Sequence, residues 1–227
     1  MPRSAGSWRA RNGNSVRRIL LAALPVLAFA LLLGACGRSP KTLHEVAESV
    51  LTKADWLADS KVCPAKFVPQ HKLDGGLSGK HCDGELAGRC FSECEAGEVS
   101  SCYWLAYSLQ LSKLDDNAAQ ALYQRSCRLG EPSGCTNRAA RILEANRTDA
   151  AANACAASTF AKTCAVEDAW GCTMHALALH RGLGTVKDDQ TALRVIENSC
   201  AFAGDPREKA CLYAMSLKQQ ILEGETP

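Results

Sequence analysis

The stretch "SCRLGEPSGC", Ser126 to Cys135, decides the fold. Cys127 and Cys135 enclose seven residues, too many for a CxxC redox or zinc pair. A straight helix, rising about 1.5 Å per residue, would hold them roughly 12 Å apart. A disulfide needs Cα atoms within about 7 Å of each other. Gly130, Pro132 and Gly134 resolve the conflict: one helix ends, the chain turns, and a second helix starts back beside the first. The two cysteines then lock a helical hairpin.

The spacing recurs. "CEAGEVSSC" (Cys94–Cys102) and "CAVEDAWGC" (Cys164–Cys172) also enclose seven residues, and "CAFAGDPREKAC" (Cys200–Cys211) encloses ten and reads as the same unit with a longer turn. The first cysteines of the four units are 33, 37 and 36 residues apart, a period typical of helical solenoids. The flanks repeat as well. Four residues beyond each second cysteine stand Ala106, Ala139, Ala176 and Met215, mostly small, as close helix contact requires. Four residues before each first cysteine stand Cys90, Tyr123, Phe160 and Ile196, and eight before it Leu86, Ala119, Ala156 and Ala192. Offsets of four and eight share one helical face, so these positions are expected in the core. The expected fold is all-α, about four hairpins in a right-handed superhelix.

"GLGTVKDDQTALRVIENSC", Gly182 to Cys200, resembles the Sel-one-like repeat, a tetratricopeptide-like αα-hairpin. Gly182, Gly184, Asp188 or Asp189, and Ala192 match its core, with Val186 one place late. "ALYQRSCRLGEPSGCTNRA" is similar to the disulfide-stapled version in the Helicobacter cysteine-rich protein family. The resemblance covers roughly residues 85–223. It implies a repeat scaffold that binds a protein or peptide along a curved surface. Each hairpin of such an array touches only its neighbours and can fray from its ends. A bridge closing a nine-residue loop contributes roughly 2.5 kcal/mol in the chain-entropy picture, which counters fraying.

The N-terminus reads as a targeting segment. Arg3, Arg9, Arg11, Arg17 and Arg18 precede the apolar run "ILLAALPVLAFALLL", Ile19 to Leu33, which is short for a membrane span of roughly 20 residues. Leu33-Gly34-Ala35-Cys36 resembles a bacterial lipobox, which implies cleavage after residue 35 and lipid attachment at Cys36. Gly37 in place of an aspartate favours the outer membrane, with the protein facing the periplasm. "SVRRIL" fits a twin-arginine signal poorly. Without this segment the formal charge falls from +2 to −3, 21 Lys and Arg against 24 Asp and Glu. No basic stripe supports nucleic-acid binding.

Residues 36–84 are expected to form a lipid-anchored helix and loop, 85–223 the repeats, and 224–227 a tail. In "SPKTLHEVAESVLTKADWLADS", Ser39 can cap a helix, Pro40 takes its first position, and Leu43, Val46, Ala47, Val50, Ala54 and Leu57 share a face. This helix should cover the first repeat. Residues 60–84 read as an irregular loop, long for a compact domain. Cys63–Cys82 would pin it. Cys90 fits a buried apolar position, and Cys155, two repeats away, is poorly placed to reach it and would be left free.

Twelve cysteines besides Cys36 on an exported chain suit a disulfide framework. Candidate chemistry is sparse. Cys90 and Cys94 at i, i+4, near His81 and Cys82, are the one conceivable metal cluster, but the repeat pattern claims Cys94, so no metal or other cofactor is expected. His175 and His180 are five apart, not on one face. The cysteine-rich family carries a β-lactamase label, so β-lactam binding or hydrolysis is the alternative function. The chain has no Ser-x-x-Lys, Lys-Thr-Gly or Gly-x-Ser-x-Gly, and no catalytic residue is assigned. Trp104 and Trp170 are candidate recognition anchors or hairpin packing residues.

Overall fold

A computed structural model describes residues 42–71, Leu77 and residues 82–224. All fall in one unit, Ser39–Pro227. The reading of Cys36, like that of Ser39 and Pro40, lies outside the described residues. The described chain is all-helical, with ten α-helices: α1 Leu43–Leu51, α2 Ala54–Asp59, α3 Ala87–Glu95, α4 Val99–Ser112, α5 Asp116–Arg128, α6 Pro132–Ala145, α7 Ala150–Ala165, α8 Ala169–Arg181, α9 Asp189–Ala203 and α10 Lys209–Glu223. Short 3-10 turns occupy Pro64–Lys66 and Gly84–Leu86.

From α3 onward the helices pack in sequence order, each on the next. Four bridges join the end of one helix to the start of the following one: Cys94–Cys102, Cys127–Cys135, Cys164–Cys172 and Cys200–Cys211, with Cα separations of 4.8, 4.6, 4.3 and 4.4 Å. The hairpin expectation therefore holds at all four stations. The second helix of three hairpins starts on an acidic cap four residues before its cysteine. Glu98, Glu131 and Asp168 accept from the backbone N–H groups of Ser101, Ser133 and Gly171 respectively, among others, which satisfies donors that a helix start leaves open.

The residue just before the second cysteine is small throughout: Ser101, Gly134, Gly171 and Ala210. A Cβ on Gly171 would lie 2.3 Å from Thr163 Oγ1, and one on Gly134 would lie 2.9 Å from both Cys127 N and Tyr123 O. The hairpin legs touch here. Gly184 has a different necessity. Its φ is +68°, and a Cβ would meet Asn153 O at 2.1 Å, so the α8–α9 connection lies directly on the start of α7.

Cys90, Tyr123, Phe160 and Ile196 are buried as expected, as are Ala106, Ala139 and Ala176. Two positions differ. Leu86 is 46% exposed because it lies in the 3-10 turn before α3, and Ala87 is buried instead. Met215 is 50% exposed while Ala214 is buried. The longer last turn rotates α10 by one residue, so Ala210, Ala214 and Leu217 take the inward stations. The buried side chains form three successive clusters, around α1–α5, α6–α8 and α7–α10.

The N-terminal helix does cover the first hairpin, with α1 packed on α3, α4 and α5, but it is interrupted. Thr42 caps α1 in a reciprocal capping box with Glu45, and the chain breaks at Thr52 and Lys53 before α2. The break re-aims the face: Trp56 is buried and Ala54 exposed.

Candidate interaction groove

After α2 the chain turns onto the faces of later helices. The 3-10 turn Pro64–Lys66 packs on α5, α6 and α7, with Pro64 and Ala65 buried. The side chains meeting this segment are mostly cationic. Arg128 Nη1 donates to Asp59 Oδ1 at 2.7 Å, and its guanidinium stands 5.1 Å from the Phe67 ring. Arg138 Nη2 donates to the Ser60 carbonyl at 2.7 Å, and Lys162 Nζ to the Ala65 carbonyl at 2.8 Å. Cys127 Sγ, bridged and without a proton, makes a packing contact 3.7 Å from the Pro64 carbonyl oxygen. Upstream, Arg125 stands 5.2 Å over Trp56, and Trp56 packs against Phe91 at 6.1 Å. Lys53 pairs with Glu95. Burial pushes the Arg138 guanidinium below its ordinary pKa, the cost of desolvating a cation that the carbonyl contact offsets.

Cys63 is bridged to Cys155 of α7, 92 residues away, with Cα atoms 5.8 Å apart. Cys82 is bridged to Cys90. Both pairings correct the expectation. Cys63 does not pin the loop to Cys82, because the segment carrying it runs across to α7. Cys155 is not free, and Cys90 is buried as half of a bridge. The conceivable metal cluster loses its thiolates for the same reason, since Cys82, Cys90 and Cys94 are all held in disulfides, while His81 lies outside the described residues. No group of three potential metal ligands converges among the described residues.

Beside the segment lies a cleft of about 630 Å³, lined in part by Lys61, Asp116, Gln120, Arg138, Arg141 and Ile142. Arg141 Nε donates to Asp116 Oδ2 at 2.8 Å. A second cleft of about 370 Å³ includes Glu131, Ser133, Asp168, Trp170 and Phe202 in its walls. There, Asp168 accepts from Ser133 Oγ at 2.8 Å, Thr136 Oγ1 at 2.6 Å and the Gly171 N–H at 2.8 Å. A carboxylate so occupied caps a helix and ties α6 to α8. No imidazole hydrogen-bonds Ser133 among the described residues.

On α8, His180 is buried and His175 half-buried. His180 is 4% exposed and its Nδ1 lies 2.6 Å from Asp189 Oδ1. Its Nε2 is buried with no hydrogen-bond partner, so no nucleophile completes the pair. Burial pushes the His175 imidazole below its ordinary pKa. Trp104 packs edge-on to Tyr103 and Tyr107 at 5.2 and 5.6 Å, a packing role. Trp170 is 37% exposed and stands 6.1 Å from Tyr213.

The sequence reading found the staples but missed the groove cations. Arg125 and Arg128 at i, i+3 on α5 were a readable pair, whereas nothing local joins them to Arg138 and Lys162. Comparison with family models, curated proteins and solved structures returns no match.

Proposed function

We propose that this chain is a non-catalytic scaffold of the bacterial envelope, held to a membrane through a lipid on Cys36. Its stapled hairpins form a Sel-one-like solenoid that binds a short peptide or protein segment on the face made by α5, α6 and α7. One observation carries the reading: residues 59–67 of the chain itself lie on that face, and the side chains of Arg138 and Lys162 take their backbone carbonyls. Groups that meet backbone carbonyls accept many sequences, because every peptide carries them. The succession of small cores also supports a linear array.

The test is selection from a library of short peptides on the purified, non-acylated protein, both oxidised and after dithiothreitol has been used to open the Cys63–Cys155 bridge, with a nitrocefin assay on the oxidised sample. Selective enrichment that is lost in Arg128→Glu and Lys162→Glu supports the reading. Unselective retention, or nitrocefin turnover, overturns it, the latter in favour of the β-lactam alternative. Fatty-acid probe labelling in cells should vanish in Cys36→Ser.

A further inference from the structure

We propose that residues 59–67 are an exchangeable occupant of the groove, and that the Cys63–Cys155 bridge is a latch. A dithiol opens the latch and admits a short peptide of like chemistry that can turn as Pro64–Lys66 does. The proposal rests on the scaffold reading and deepens it by naming the partner's chemistry and the control.

The six bridges are not alike. Five join cysteines eight or eleven residues apart and stabilise local structure. Each of these five has at least one cysteine that is 4% exposed or less. Cys63 and Cys155 are both half-buried, and their bridge holds a segment rather than a hairpin. Attack by a thiolate needs a path to sulfur, and accessible bridges are the labile ones. The balance is simple. The dithiol loses two electrons and two protons and becomes a disulfide, the Sγ–Sγ bond breaks, and Cys63 and Cys155 each gain a proton.

What then holds residues 59–67 is replaceable. Two hydrogen bonds go to backbone carbonyls, of Ser60 and Ala65, which any peptide carries. The Asp59–Arg128 pair is half-exposed, and such pairs hold weakly. The side-chain requirements are a carboxylate facing Arg128, two small residues at the buried Pro64 and Ala65 stations, and an aromatic ring beneath Arg128 at the Phe67 station. A partner segment with an acid, a Pro-Ala-like pair and an aromatic in that order fits.

The oxidised protein is titrated with dithiothreitol, quenched with N-ethylmaleimide, and mapped by mass spectrometry alongside amide exchange. Cys63 and Cys155 should be labelled roughly tenfold sooner than any other pair. Residues 59–67 should lose protection while α5–α7 keep theirs. If another pair opens first, or 59–67 stay protected after reduction, the latch is wrong. A second arm uses Cys63→Ser, which frees Cys155. The peptide DSKVCPAKF (residues 59–67), activated as its thionitrobenzoate mixed disulfide, should couple to Cys155 about tenfold faster than a scrambled peptide. Equal coupling rates would refute the groove's selectivity, and with it the scaffold reading at this face. Selective coupling with a late-opening Cys63–Cys155 bridge would remove only the latch.

Discussion

Replacing Gly171 by Ala should destabilise the protein through one side chain, Thr163. A Cβ at Gly171 would lie 2.3 Å from Thr163 Oγ1, 2.9 Å from Thr163 Cβ and 3.0 Å from Asp168 Oδ2. Thr163 has no room to move. It is fully buried, its Oγ1 donates to the Phe160 carbonyl at 3.2 Å, and it lies 2.9 Å from Thr136 Oγ1, whose proton goes to Asp168. Overpacking of this kind costs about 1–3 kcal/mol, while Ala in place of Gly returns up to about 1 kcal/mol of helix propensity. The net loss is about 1–2 kcal/mol. For a chain of this size that lowers Tm by about 2–4 °C per kcal/mol. Thr163→Ala removes Oγ1 and costs about 1 kcal/mol for the lost hydrogen bond. In that background the 2.3 Å contact is gone, but the Cβ of residue 163 stays at 2.9 Å and Asp168 Oδ2 at 3.0 Å, so Gly171→Ala should be partly rescued, a coupling of about 1 kcal/mol in a double-mutant cycle. Gly134→Ala is the contrasting case. Ser126→Ala would clear the 2.5 Å contact with Ser126 Oγ, but Cys127 N and Tyr123 O remain at 2.9 Å, and backbone cannot be mutated away. Urea and thermal unfolding of the oxidised variants measure all four effects. A Gly171→Ala protein as stable as wild type, or full rescue of Gly134→Ala by Ser126→Ala, would refute the reasoning.

Two further outcomes are expected. Replacing Cys200 and Cys211 by Ser should give rapid amide exchange from about residue 190 onward, because the last hairpin has one neighbour; uniform exchange along the chain would mean one cooperative unit. Hydrogen bonds from the Thr191 hydroxyl and from His180 hold the Asp188 and Asp189 carboxyls below their ordinary pKa. The stability these two groups contribute is therefore present above the unfolded value of about 3.9 and lost as pH falls through the lower folded values. Protection at the start of α9, relative to exchange of the unfolded chain, should fall as pH is taken below about 4; Asp188→Asn should lack part of that protection already at neutral pH and show a shallower fall.

The hairpins were legible because each is local: eight residues, a turn and two cysteines determine it. Ala106, Ala139 and Ala176 followed from the same register. Met215 failed because three extra turn residues shift α10's phase, and phase cannot be read from a turn whose path is unknown. Glu167 takes φ +64° in the third turn, where the other turns carry glycine, so a glycine search alone would miss that station. The acidic caps Glu98, Glu131 and Asp168 were in plain view four residues before the second cysteine of the first three hairpins. Cys63 was different in kind. Its partner lies 92 residues on, and no periodicity encodes where an irregular segment crosses a later helix.

That long bridge makes the order of synthesis matter. With Cys63 and Cys155 set aside, the remaining ten described cysteines pair strictly with their next neighbour in the chain. Cys63 precedes all of them. An oxidant that joins each emerging thiol to the last free one would consume Cys82 on Cys63, then join Cys90 to Cys94, Cys102 to Cys127 and Cys135 to Cys155, and would return to the native register only at Cys164. The native set is reached only if Cys63 stays reduced until α7 exists, or if early bridges are exchanged. One cysteine thus ties the biogenesis of this protein to thiol isomerisation, while every hairpin downstream could form by oxidation alone.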